Sequence, residues 1–275
     1  MRYLLCILLS MPIISFSQAD QLRAVIIVGD QQDGTINAIE DMENIHTFFK
    51  SKDVIVKTFY HPKTSWKDII SASKDASFFV YRGHGMSWPD GKYGGLDLDE
   101  AISSEDIMND LKLKANAIVI FKSVCGGAGS SASDDGDIGI KKALERVSDY
   151  SRPFLNIGAS AYYADNFGNG CLSFLNDFFE GKTMKECFDN SIGWSVKLEI
   201  DQNYRYDRSK SIGVASCDWG GTVTKTSYIN GVKSVREVPA TKDYDIAYVA
   251  NPIYSISTIL KSNSLLTNRK FKKSR

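Results

Sequence analysis

"AIVIFKSVCGGAGSS", residues 117–131, decides how this chain is read. The first five residues are all apolar, without the alternation of a strand that has one wet face. Such a run suits a strand covered on both faces, as in a parallel sheet flanked by helices. The run then delivers Cys125 into a loop of glycine and serine. "SFFVYRGHGMSW", residues 77–88, has the same form one strand earlier. There an apolar run ends at His84, held between Gly83 and Gly85.

Working outward, residues 23–29 and 54–60 read as further strands. Between them Ile36, Ile39, Met42, Ile45, Phe48 and Phe49 recur at three and four residues, one apolar stripe on a helix over about 35–50. Short helices are expected from Trp66 to about 74 and over 102–111, the second capped within 103–106. A helix over 138–147, a fifth strand over 153–158, and helices over 172–179 and 184–196 follow. Strands alternating with helices predict an α/β fold of right-handed β-α-β units around a mainly parallel sheet. In such sheets chemistry collects at the carboxyl ends of the strands. His84 and Cys125 are both expected there, on consecutive strands.

Beyond residue 200 the pattern turns to β. Residues 223–229 and 232–238 flank Asn230-Gly231, a hairpin with a type I′ turn. Further strands are expected over 244–249 and 253–259. The domain reading is a signal segment at 1–17, a catalytic domain at 18–200, a small β-rich C-terminal extension at 201–262 and a basic tail at 263–275. The tail reads as solvated chain, with docking to a surface as the alternative.

The chain has 275 residues, with 33 Lys+Arg against 33 Asp+Glu. That balance supplies no field toward nucleic acid or an anionic membrane. Met1-Arg2, an apolar run over 3–16 and Ser15-Phe16-Ser17 read as a secretory signal cut after Ser17. Export to the periplasm or the medium follows, with an uncleaved anchor as the alternative. The run is short for a membrane span, and no second run of spanning length follows. Cys6 lies too early for a lipoprotein cysteine. Cys125, Cys171, Cys187 and Cys217 remain, and four cysteines in an exported chain suggest disulfides, with Cys171–Cys187 a possible pair.

A cysteine nucleophile needs a base or a polarising partner. His84 is placed to be that partner. The N–H groups of Gly85 and Cys125 are placed to receive an oxyanion, each such donor lowering the barrier by about 3 kcal/mol. Taken alone, Gly-His-Gly is more often a turn and a strand-end cysteine more often a core thiol; their coincidence at neighbouring strand ends carries the reading. His46 lies inside the first helix and His61 before Pro62, and both read as structural or solvated. Asp134, Asp135 and Asp137 read as a surface turn. Calcium at that loop, or its cleavage on activation, are the alternatives, but the spacing is not an EF-hand. No zinc spacing, P-loop or dinucleotide fingerprint occurs. No cofactor is expected. Trp88 and Tyr93 either wall the cleft or pack a hairpin.

"YRGHG" and "SVCGGAGSS", with Cys125 41 residues after His84, resemble the two signature segments of the caspase-like cysteine peptidases, the group of caspases, metacaspases, gingipains and legumains. The resemblance covers about residues 23–196 and extends to "FLNIGASAYYADN" and "FLNDFFEGKTMKECF". It implies a three-layer caspase-like sandwich, peptide or protein substrates, His84 as catalytic histidine, Cys125 as nucleophile, and Gly85 and Cys125 as oxyanion donors. Two positions depart from it. Ser123 stands where metacaspases carry an aspartate, and Arg82 where serine or threonine is commoner. Ser123 shares a strand face with Cys125 by period two and is expected to line the substrate pocket. Asp165 is expected just past the fifth strand, as a binder of a basic side chain or a solvated loop residue. The expected activity is that of a secreted cysteine endopeptidase. A silent binding module of the cell envelope and an acyl-transfer enzyme with the same dyad are the alternatives.

Overall fold

The computed structural model describes residues 21–166, 170–192, 196–218, 222–229, 232–239 and 242–261. The expected signal segment, Cys6, the Asn230-Gly231 turn and the basic tail lie outside these residues. Five strands form the parallel part of one sheet: β1 (Arg23–Val28), β2 (Ile55–Tyr60), β3 (Phe78–Arg82), β6 (Ile118–Lys122) and β7 (Ala161–Asp165). Three more join it antiparallel: β8 (Val196–Asn203), β9 (Ser211–Asp218) and β12 (Lys242–Ala250). The order is β2-β1-β3-β6-β7-β12-β9-β8. The short pair β4 (Leu96–Asp97) and β5 (Ala101–Ile102) stands apart from it. So does the hairpin β10 (Thr222–Ile229) and β11 (Val232–Pro239).

The continuous apolar runs become buried strands because helices cover both faces. α2 (Trp66–Ser73), α3 (Ser104–Asp110) and α4 (Gly139–Asn156) share one core with Phe79, Val119 and Phe121. α1 (Thr35–Ser51), α5 (Gly170–Phe179) and α6 (Met184–Ser191) share the other with Phe78, Val80 and Ile120. Odd and even positions of one strand thus feed opposite cores, as strand periodicity requires. The α/β expectation with a mainly parallel sheet holds, and the sheet is the middle of three layers. No helix among the described residues is long and apolar enough to cross a membrane.

Three sequence expectations are corrected. Residues 153–156 are not a strand: α4 runs through Pro153 to Asn156, and the fifth strand is Ala161–Asp165. The apolar residues of 153–157 continue the stripe of α4, with Phe154 in the core and Leu155 packed against it. Residues 256–261 are helical, not extended, and Ile256 and Ile259 pack on the layer of α5 and α6. No disulfide joins Cys125, Cys171, Cys187 or Cys217. The predicted hairpin is present, with Ile229 paired to Val232. The β-rich segment is continuous with the sheet, since β12 inserts between β7 and β9.

Candidate active site

His84 follows β3 by two residues and Cys125 follows β6 by three. β3 and β6 are hydrogen-bonded neighbours, from Phe78↔Ile118 to Tyr81↔Phe121. Parallel pairing therefore carries both loops to the same edge of the sheet. The loops then touch through their backbones. A Cβ built on Gly85 would lie 1.8 Å from the carbonyl oxygen of Cys125. Only glycine admits that approach.

Tyr150, buried on α4, fixes the contact. Its hydroxyl donates to the Cys125 carbonyl at 3.1 Å and accepts from the Met86 N–H at 2.8 Å. Burial pushes its ionisation far above the ordinary tyrosine value, so it stays a protonated donor. Tyr81 holds the other side, donating to the His84 carbonyl at 3.1 Å and accepting from the Asp97 N–H at 3.0 Å. Burial raises the pKa of the Asp97 carboxyl, and the nearby imidazole of His84 opposes that rise. Asp97 thus sits within electrostatic reach of His84.

His84 and Cys125 are both half-buried. The other described cysteines are buried, and burial pushes Cys171 well up and Cys187 up to about 12. A thiol held protonated is a poor nucleophile, so exposure singles out Cys125. Among the described residues, neither the Gly85 nor the Cys125 N–H donates a hydrogen bond to the chain. Ser123 has φ +53° and Gly126 φ +80°. The left-handed Ser123 is strained for a side chain that carries a Cβ. It ends the strand before Cys125, so the turn rather than period two decides where it points.

A cleft of about 410 Å³ opens beside Cys125. Ser123 is among the residues that line it. Asp165 is not, and the expectation for it is corrected. It is the last residue of β7, fully buried, 3.9 Å from the buried ammonium of Lys122, and it packs against Gly170 at the start of α5. Its contacts with Lys122 and Cys171 turn it toward the α1/α5 layer. The acidic groups of the cleft are Asp243 and Asp245, at the start of β12, with Asn166 beside them. Asn166 donates to the Asp245 carboxylate at 3.1 Å. Arg82 points away as well, into an ion pair with Asp41 of α1.

The acidic loop is held by protein groups. Arg146 of α4 grips Asp134 with two hydrogen bonds of 2.7 and 2.6 Å, and donates to the Gly129 carbonyl and the Tyr93 hydroxyl. Asp135 pairs with Arg236, and Asp137 accepts from Tyr244 at 3.1 Å. Among the described residues no group of three carboxylate, histidine or cysteine side chains is arranged for a metal. Trp88 and Tyr93 pack a small turn, with Trp88 Nε1 donating to the Gly94 carbonyl at 2.9 Å. Neither lines the cleft. His46 bonds Glu43, and His61 lies 3.8 Å from Asp99.

Sequence reasoning missed Tyr150, Asp97, Asn166, Asp243 and Asp245. Tyr150 falls on the apolar stripe of α4 and reads as ordinary core. Asp243 and Asp245, two apart at the head of an apolar run, were the one local signal available. No known protein-family model matches the chain, and no curated protein sequence matches it.

Proposed function

We propose that this chain is a cysteine endopeptidase of the caspase-like kind, with Cys125 as nucleophile and His84 as its acid–base partner. The contact of Gly85 with the Cys125 carbonyl supports this reading most directly. It joins two loops far apart in sequence at the carboxyl edge of neighbouring parallel strands, where α/β sheets do their chemistry.

The Cys125 sulfur attacks the carbonyl carbon of the scissile peptide, and its proton passes to His84. The oxyanion lies against the N–H groups of Gly85 and Cys125. His84 returns the proton to the departing amine as the C–N bond breaks, leaving a thioester. Water, deprotonated by His84, attacks the thioester, the thiol leaves and the carboxylic acid is released. Asp243 and Asp245, which line the cleft beside Cys125, favour a lysine or arginine side chain next to the cut bond.

The test is a peptide-library profile of the chain beginning at Gln18. Cleavage after basic residues that is lost in both Cys125→Ala and His84→Ala is the expected result. Peptide binding without cleavage would instead mark a binding module. Aminolysis products formed with an added amine would mark an acyl-transfer enzyme.

A further inference from the structure

One wall of the cleft is not part of the main sheet. Thr224 and Thr226, two apart on β10, face Cys125, Ser131 and Asp245 across the opening. β10 pairs with β11 alone, and among the described residues the hairpin joins no other strand. A lone two-stranded hairpin is marginally stable in water. Val232 and Val235 of β11, three apart and so on opposite faces of the hairpin, are 68% and 58% exposed. Threonines facing a hydrated cleft supply little adhesion of their own.

The hairpin meets the catalytic loop through Arg236 of β11. This guanidinium pairs with the Asp135 carboxylate, and it donates to the carbonyls of Ser133 and Asp134 at 3.0 and 3.1 Å. The loop it grips is rigid, because Arg146 clamps Asp134 from below. The clasp differs in kind from that buried pair. Asp135 is 83% exposed and Arg236 35%, so water and salt compete for it. A two-stranded element that joins no other described strand, set beside a reactive group and clasped at an exposed charge pair, has the construction of a lid.

We infer that the β10–β11 hairpin is a latched flap over the cleft, with Arg236 as its latch, and that it lifts to admit an extended chain to Cys125. The inference rests on Cys125 as the reactive group of this cleft, and not on what it cleaves. The test compares two maleimides on the chain beginning at Gln18: N-ethylmaleimide, and the same group on a long polyethylene glycol. Labelling at Cys125 is followed by peptide mapping. The ratio of the two rates cancels any change in thiolate fraction. In Arg236→Gln and in Asp135→Asn the polymer reagent should gain about three- to tenfold relative to the small one. Raising salt should move the parent chain the same way and leave Arg236→Gln unmoved. The reversed pair Arg236→Asp with Asp135→Arg should return the ratio toward the parent. An unchanged ratio in both single variants, or equal acceleration of both reagents, overturns the latch. A chain that gates the polymer reagent yet cuts no peptide removes the peptidase reading and leaves the latch standing.

Discussion

The five parallel strands and the three antiparallel ones share a sheet but meet the cleft differently. From the parallel half, β3 and β6 release His84 and Cys125 at the same edge, and the loops after them touch backbone to backbone. The antiparallel half brings Asp243 and Asp245 on β12, and carries the hairpin inserted between β9 and β12. The first contribution is rigid, because both helical layers and two buried tyrosines hold it. The second is peripheral and polar, and reaches the cleft as walls. On the proposed reading, a sheet built this way separates reacting groups from the groups that select what reacts, and changes in the two halves should have different signatures.

The sharpest way to break that division is at the reacting groups. Cys125→Ala or His84→Ala should lower kcat by about 10⁴-fold or more, with the thermal midpoint little changed. Comparable loss from a wall residue would mean that the halves are not distinct. Next comes the clamp on the loop that follows Cys125. Arg146→Ala removes the guanidinium that grips the buried Asp134 carboxylate, and should cost about 3–5 kcal/mol in denaturant unfolding. Retention of full stability would show the buried pair to be idle.

Gly85→Ala forces a methyl into the Cys125 carbonyl. Displacement of the loop by about 1 Å should lower kcat/KM about 10²-fold, while alkylation of Cys125 by a small reagent persists. On the wall side, Asp245→Asn should lower kcat/KM about tenfold to a hundredfold for lysine and arginine substrates, and leave kcat on a neutral reporter ester unchanged. Equal loss on both substrates would move Asp245 into the reacting half.

The smallest effect lies outside both. Ser103 caps α3, donating to the Asp106 carboxylate at 2.6 Å and accepting from its N–H at 3.1 Å. Ser103→Ala should cost about 1 kcal/mol of stability with kcat untouched. The hydrogen bonds from Ser103 hold the Asp106 pKa below 3.8, so folding favours its ionised form. The contribution is therefore complete above pH 3.8 and fades as pH falls through the lowered folded value. The gap between parent and variant should narrow in that acid range, to the part carried by the Asp106 N–H bond to Ser103 Oγ.

Much of the fold was legible, for identifiable reasons. The apolar runs before His84 and Cys125 have no wet face, so burial on two sides was their only stable outcome. The hairpin was legible from Asn-Gly between two alternating runs. The stretch 153–158 was not: an apolar run that short is ambiguous between strand and helix end. The α4 stripe continuing through Phe154 decided it. Asp165 misled because the same strand was misplaced: with the fifth strand expected over 153–158 it read as a loop residue, whereas it is the last residue of Ala161–Asp165. With the strand ending at Asp165, the side chain turns to Lys122.

The sequence by itself determined the layered α/β architecture and the sheet edge at which the loops carrying His84 and Cys125 emerge. These follow from periodicity and strand order, which are local. Only the tertiary structure decided that Tyr150 ties the two loops, that Asp243 and Asp245 rather than Asp165 colour the cleft, and that a hairpin is clasped beside it. Each of those is a meeting of residues many positions apart. A single sequence carries no local mark of which distant side chains packing will bring within hydrogen-bonding reach.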